Sequence, residues 1–257
     1  MSRAYIMSDQ SSLFGQPDVV GFGTNDFYLC EIPRDKANAI IKRQHYSRKF
    51  YNNSICHLGL YIDGELYGVL QFGQAMNPAS GGSIVSGSTV DDFFELNRMW
   101  LDDFAPHCSE SRALSYAFKF IRRKYPKIKW IQSFADERCG KFGAVYQASG
   151  FRYFGEHIAT FWELEDVFYH NIAATAQREK SGTAGAYLQA NMERASRHDL
   201  RQFRYLYFMA PRFARGVKLR EQPFPKPHAA CPLDDPVPAG VSGVRPPEAA
   251  PILGAAA

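Results

Sequence analysis

The chain has 257 residues, of which 46% are hydrophobic and 14% aromatic, with a formal net charge of +4 at pH 7. That composition excludes wholesale disorder and allows one large domain or two small ones. No apolar run approaches the ~20 residues of a membrane helix and the start lacks the apolar stretch of a signal peptide, so a soluble intracellular protein is expected.

Residues 1–25 are rich in Ser, Gly, Asp and Gln without a period and read as a flexible arm. A short strand is predicted at 27–32, then a helix at 34–44 carrying Ala37, Ile40 and Ile41 on one face. Apolar runs at 55–62 and 65–73 flank Asp63-Gly64, a hairpin signal. Residues 77–90 are Gly- and Ser-rich and read as a loop. A strand at 93–101 is followed by a helix at 109–125. Leu114, Phe118 and Ile121 line one face of that helix, Arg112, Lys119, Arg122 and Arg123 another, and Pro126 stops it. A buried strand at 128–135, a short helix at 140–149 ended by Gly150, and a strand at 151–164 with an irregularity at Gly155 come next. Residues 173–197 read as mostly helical, broken near Gly182 and Gly185, and 203–208 alternate as a last strand. From Pro223 the chain is Pro- and Ala-rich and reads as a disordered tail. The expected architecture is α/β, with one domain over 26–222 and a mixed central sheet flanked by helices. A helical basic insertion precedes the last strand, and a parallel crossover joins 93–101 to 128–135.

The charge is uneven. Residues 171–228 hold eleven Lys and Arg against four Asp and Glu, while the remainder holds 19 against 22. The local excess suits a polyanion-facing surface, although a solvated basic face would look the same. The five cysteines are scattered with no C-x-x-C pair, the pattern of idle thiols in a reducing compartment.

Two acids, Asp136 and Glu137, close the strand at 128–135, and Tyr146 follows shortly before Gly150-Phe151. Strand, helix, hairpin, central strand, helix, strand, and a helix with Tyr before Gly-Phe resemble the GNAT acyltransferases. A closer resemblance rests on four strings, His45-Tyr46-Ser47-Arg48, Glu95-Leu96-Asn97-Arg98-Met99-Trp100-Leu101, Ser109-Glu110-Ser111-Arg112-Ala113 and Gln132 to Gly140. With Tyr187 to Asn191 and Tyr205-Leu206 they are similar to the Mom DNA-modification family of Mu-type phages over residues 38–227. This resemblance implies a GNAT-like fold that adds a carbamoylmethyl (acetamido) group to the N6 amine of adenine in double-stranded phage DNA. It also implies protection from host restriction, in the cytoplasm of the bacterial host. The alternative is a generic GNAT N-acetyltransferase using acetyl-CoA on a protein or small amine. Acyl-CoA or acetyl-CoA is the implied cofactor and double-stranded DNA the partner, with no membrane; the oligomeric state is open, a homodimer included.

Under that reading Tyr146 is the acid, since a phenol near pKa ~10 can reprotonate a leaving thiolate near ~8.5. Asp136 continues the strand face of Trp130, Gln132 and Phe134 and would position the adenine amine, or else cap the following helix. His45 is a base or a metal ligand, and Tyr46 a stacking platform for an extruded base. A metal, iron by chemistry, would use His45 and Asp136, without the spacing of a recognised motif. Arg98 beside Met99 is set to clamp a phosphate or carboxylate, or to pair with Glu95 or Asp136. The loop 103–108 lacks the glycines of a GNAT pyrophosphate turn, leaving Ser109, Ser111, Arg112 and a helix start as the cofactor's anion site. Asn52 and Asn53 can read an adenine edge or form a turn. Arg194, Arg197, Arg201, Arg204, Arg212 and Arg215, among aromatics Phe203, Tyr205, Tyr207 and Phe213, are the DNA-binding candidates.

Overall fold

Ten strands form one mixed sheet in a computed structural model that describes residues 4–5, 19–139, 142–176 and 182–226. The compact unit that carries it runs to Pro225; of a second, 226–257, only Lys226 is described. The strands are β1 (Ala4–Tyr5), β2 (Gly21–Gly23), β3 (Phe27–Glu31), β4 (Ser54–Ile62), β5 (Glu65–Gly73), β6 (Phe93–Leu101), β7 (Trp130–Asp136), β8 (Arg152–Leu164), β9 (Val167–His170) and β10 (Ser196–Phe208). Their order is β1-β2-β3-β4-β5-β6-β7-β10-β8-β9, and every neighbouring pair is antiparallel except β6 with β7.

Local chemistry accounts for most of these elements. Asp63 and Gly64 both take positive φ, the two-residue turn that matches the twist of β4 and β5. Helix α1 (Arg34–Gln44) follows Pro33 and buries Ala37, Ile40 and Ile41 against Val69, with Trp100 packed alongside. Helix α3 (Ser109–Lys124) buries Ala113, Leu114, Ala117, Phe118, Phe120 and Ile121 on the other layer of the sheet, and its last turn is rich in Arg and Lys, which suits the negative helix end. As the crossover between β6 and β7, α3 makes those strands parallel.

Three sequence expectations are corrected, and one unassigned segment proves to be a strand. Residues 21–23 are β2, paired with β3, and Ala4–Tyr5 pair with β2, so strands lie within the expected arm. The expected loop at 77–90 contains a 3-10 turn and the short helix α2 (Gly81–Ile84). Val167–His170 is a strand, β9, hairpinned to β8 through Glu165 and Asp166, both at positive φ. The basic segment is divided into α5 (Asn171–Thr175), α6 (Gly182–Ala190) and a long strand β10 that starts at Ser196. Gly182 is the first residue of α6, at one of the expected breaks, and Gly185 lies inside that helix. Weak helical periodicity lost to backbone pairing, because the start of β10 is hydrogen-bonded along β8, and β7 adds a second edge from Gln202. The expected tail lies outside the described residues from 227 onward.

The parallel pair is short. Only Phe93, Phe94 and Glu95 register with Trp130, Ile131 and Gln132. Beyond them β6 stays with β5 and β7 stays with β10, so the sheet forks. The closed end of the fork is a stack of Phe93 on Trp130 at 4.3 Å, with the Trp130 indole donating to Ser88 Oγ.

Candidate active site

A cleft of about 990 Å³ opens at the fork. Glu95 and Gln132 stand where the strands part. Gln132 Nε2 donates to Glu95 Oε2 at 3.0 Å, and Asn97 Nδ2 approaches Glu95 Oε1 at 3.5 Å. Burial pushes the Glu95 carboxyl above its usual range, opposed by the Gln132 and Asn97 hydrogen bonds and by the charges of Arg98 and Arg204. An extra residue in β6 explains the next position. Gln71 pairs with Arg98 and Phe72 with Leu96, so the strand bulges at Asn97 and returns Arg98 to the cleft. Its guanidinium donates to the carbonyls of Lys49 and Asn97 at 2.7 and 2.6 Å, so the charged partner expected at Glu95 or Asp136 is replaced by backbone. Met99 lines the cleft beside it.

On β7, Gln132, Phe134 and Asp136 share the cleft face, as strand alternation requires. Asp136 is buried, and its oxygens receive Arg138 Nε at 3.0 and 3.1 Å and the Arg138 backbone N–H at 3.0 Å. It therefore both caps the following turn and clamps a guanidinium. That guanidinium lies 4.5 Å from the Phe168 ring centre, 4.8 Å from Phe161 and 5.4 Å from Tyr46. Glu137 faces away and binds Arg201 through its backbone N–H and Nε.

Tyr146 is delivered by α4 (Ala144–Ala148), which Gly143 opens at φ +77 and Gly150 follows at φ +78. Its ring packs on Phe151 and Tyr205, both with centroids at 5.3 Å, and it lines the same cleft as Asp136. His45 and Tyr46, just past α1, close the cleft from the opposite layer with rings 4.3 Å apart. Ser47 N–H donates to His45 Nδ1 at 3.1 Å, which leaves the ring proton on Nε2. Burial, with the charges of Arg98 and Arg138, pushes His45 down to about 3, so the ring is a neutral donor and not a base. Tyr46 is 55% exposed, at the mouth. Lys49 is pushed down to about 8 by burial and the same two arginines; its Nζ donates to the Phe168 carbonyl.

The remaining predicted residues are dispersed. Asn52 lines the cleft, whereas Asn53 lies in the turn before β4, where its carbonyl accepts from Gln74. Ser109, Ser111 and Arg112 line a separate groove on the far side of α3. Arg112 stacks on Phe27 at 4.0 Å and donates to Thr24, and Ser111 Oγ donates to the Cys108 carbonyl. On the cleft side, the loop before α3 presents Asp103 and the first turn of α3 presents Glu110. Two carboxylates do not fit a pyrophosphate, so the anion site expected for coenzyme A at Ser109, Ser111 and Arg112 is absent from the cleft. No group of three or more His, Cys, Asp or Glu side chains suited to a metal lies among the described residues. The two metal candidates are otherwise engaged, Asp136 by Arg138 and His45 Nδ1 by Ser47.

The DNA candidates fall at two ends of β10. Because β10 is antiparallel to β7, Arg194, Arg197 and Arg201 lie at the open end of the fork, and Arg204 lies inside the cleft. Arg212 and Arg215, on and after α7 (Pro211–Ala214), lie at the closed end beside Lys129. Arg194 pairs with Glu165, Arg197 with Asp199 and Arg201 with Glu137. Sequence reasoning did not single out Glu95 as a site residue, nor Gln132, Arg138, Lys49 and His157. The available signal was polar residues at alternate positions of two strands that are otherwise apolar.

A forked mixed sheet, with α1 on one layer, α3 and α4 on the other and a tyrosine beside the gap, is a GNAT-like α/β fold. The chain belongs to the Mom protein family, which it matches over residues 26–226. It is 46% identical to the methylcarbamoylase Mom of Escherichia phage Mu over 211 residues, covering 81% of this chain and 87% of that one. Among solved structures it is similar to Arabidopsis thaliana NAA60 in complex with acetyl-CoA (9% identity, TM-score 0.45, covering 71% of this chain and 99% of that one). A Salmonella typhimurium acetyl transferase that modifies the N-terminal serine of a ribosomal protein is also similar (13%, TM-score 0.43, 72% and 96%). No helix among the described residues is long and apolar enough to cross a membrane.

Proposed function

We propose that the protein is a transferase that adds a carbamoylmethyl-type group to the N6 amine of adenine in double-stranded DNA, and so shields that DNA from restriction. The observation that carries this reading is the single cleft at the fork, lined by Tyr146 together with the Asp136–Arg138 clamp, in a chain of the Mom family. The phage Mu relative's name, a methylcarbamoylase, supports group transfer.

The adenine amine is a poor nucleophile because its lone pair is delocalised into the ring. Bond formation to the donor's carbon must therefore coincide with loss of an N–H proton and departure of the leaving group. Glu95, whose proton affinity burial raises, accepts that proton. The Tyr146 phenol gives a proton to the leaving group, and a new N–C bond replaces the donor's bond to that group. His45 donates through Nε2, and Tyr46 stacks on the extruded base at the mouth. Asp136 acts through Arg138, holding the guanidinium against Phe161 and Phe168. Extruding the base costs a few kcal/mol, and contacts of Arg194, Arg197 and Arg201 to the backbone offset it.

The test is mass spectrometry of nucleosides from plasmid DNA of cells expressing the protein. A modified deoxyadenosine is expected from the parent, falling at least tenfold in Tyr146→Phe, a typical size for loss of an acid. Ordinary deoxyadenosine alone, or acetyl-CoA turnover without DNA, would overturn the reading.

A further inference from the structure

Buried polar groups in folded proteins are nearly always paired. Two atoms lining the cleft are not. Gln132, 3% exposed, has Oε1 buried without a partner, and Arg204 has Nε buried without one. The first is an acceptor and the second a donor. They belong to one surface. Arg204 registers opposite Phe134 on the neighbouring strand, two residues from Gln132, and residues so paired share a sheet face. The Arg204 guanidinium lies 5.3 Å from the Phe134 ring centre, and His157 meets that ring edge-on. Gln132 Nε2 is already committed to Glu95, which fixes which way the amide points. An orphan acceptor and an orphan donor beside an aromatic ring make a half-built recognition edge.

We infer that Gln132 and Arg204 read the edge of the extruded base, with Gln132 Oε1 accepting from its exocyclic amine and Arg204 Nε donating to a neighbouring ring nitrogen. The inference deepens the proposed reading of the cleft and rests on it. Base chemistry makes it selective. Adenine offers an N6 donor next to the N7 acceptor; guanine offers two acceptors, O6 and N7, and thymine a carbonyl and a methyl. A base with a carbonyl in the amine's place would set its oxygen against Gln132 Oε1, two acceptors face to face. Phe134 and His157 supply the apolar and ring-edge contacts of the same pocket.

The experiment measures binding of the full-length chain, by fluorescence anisotropy, to duplexes that differ only at one mismatched, easily extruded position. That position holds adenine, guanine, purine lacking the N6 amine, 7-deazaadenine, or no base. The parent protein is expected to prefer adenine over guanine by about tenfold, the usual worth of a paired base edge. Purine and 7-deazaadenine each lose most of that preference, an arm that needs no variant to fold. Gln132→Met and Arg204→Lys are expected to bring adenine and guanine within about twofold while abasic affinity and thermal melting stay at the parent's values, which a purely structural role would not do. The inference is overturned if the parent modifies adenine in cells yet binds adenine and purine alike. It is equally overturned if both folded variants keep the full preference. If the parent neither modifies nor prefers adenine, the proposed function itself has failed and this inference falls with it.

Discussion

His45 shows how one side chain is set by what surrounds it. Its ordinary value near 6.5 is depressed to about 3 by burial and two nearby arginines. Between those values the unfolded chain binds a proton that the folded chain refuses, so His45 makes stability fall as pH drops from 6.5 toward 3. His45→Gln should flatten that part of the curve, as read by urea midpoints at pH 7, 5 and 4; an unchanged acid slope would show that His45 is not the group responsible. Lys49 has the same sign. Its depressed value of about 8 makes folding more favourable as pH rises from there toward 10.5. Part of the candidate site was legible in the sequence. His45, Tyr46, Asp136 and Tyr146 were picked out, and all four line the cleft. Their chemical states were not, because the His45 tautomer depends on the Ser47 amide and the commitment of Asp136 on Arg138. Those are contacts, and composition does not encode them.

At the scale of elements, α4 depends on its glycine. Gly143 combines φ +77 with a tight approach, for a Cβ there would sit 2.4 Å from the Tyr205 ring. Tyr205 is fully buried and its hydroxyl donates to the Phe142 carbonyl, so the ring has nowhere to retreat. Gly143→Ala should cost about 2–3 kcal/mol through strain and overpacking together, and should lower adenine modification by displacing Tyr146. Chemical denaturation with nucleoside analysis checks both, and full stability with full activity would contradict the packing argument. The hairpin of β4 and β5 and the helix α3 were readable from their own residues, Asp63-Gly64 in one case and a clean apolar face in the other. Strand β9 and the first half of β10 were not. Arg197, His198, Asp199 and Arg201 carry no apolar alternation, and become strand because they pair along β8, with β7 joining on the other edge only from Gln202 onward.

Across the whole molecule, β10 divides the basic residues by direction. Arg194, Arg197 and Arg201 stand at the open end of the fork, while Arg212 and Arg215 follow the strand's other end. Counterion release makes this measurable. Replacing Arg194, Arg197 and Arg201 by Ser should reduce the slope of log affinity against log salt by about 2–3, and replacing Arg212 and Arg215 should leave it unchanged. Equal effects of the two sets would mean that DNA runs along the full length of β10. The far groove holding Ser109, Ser111 and Arg112 is separated from the cleft by the same logic of layers, with α3 standing between them.

The sequence by itself determined the α/β class, the parallel crossover through α3 and the family, and it picked out some of the residues that line the cleft, because these follow from periodicity, turn chemistry and long polar strings. Only the tertiary structure decided where the sheet opens and what each group does there. The bulge at Asn97 aims Arg98, the parting of β6 from β7 exposes Glu95 and Gln132, and the antiparallel run of β10 brings in Arg204. The physical reason is that register and fork geometry are set by pairing between segments far apart in the chain, and no single segment carries that information.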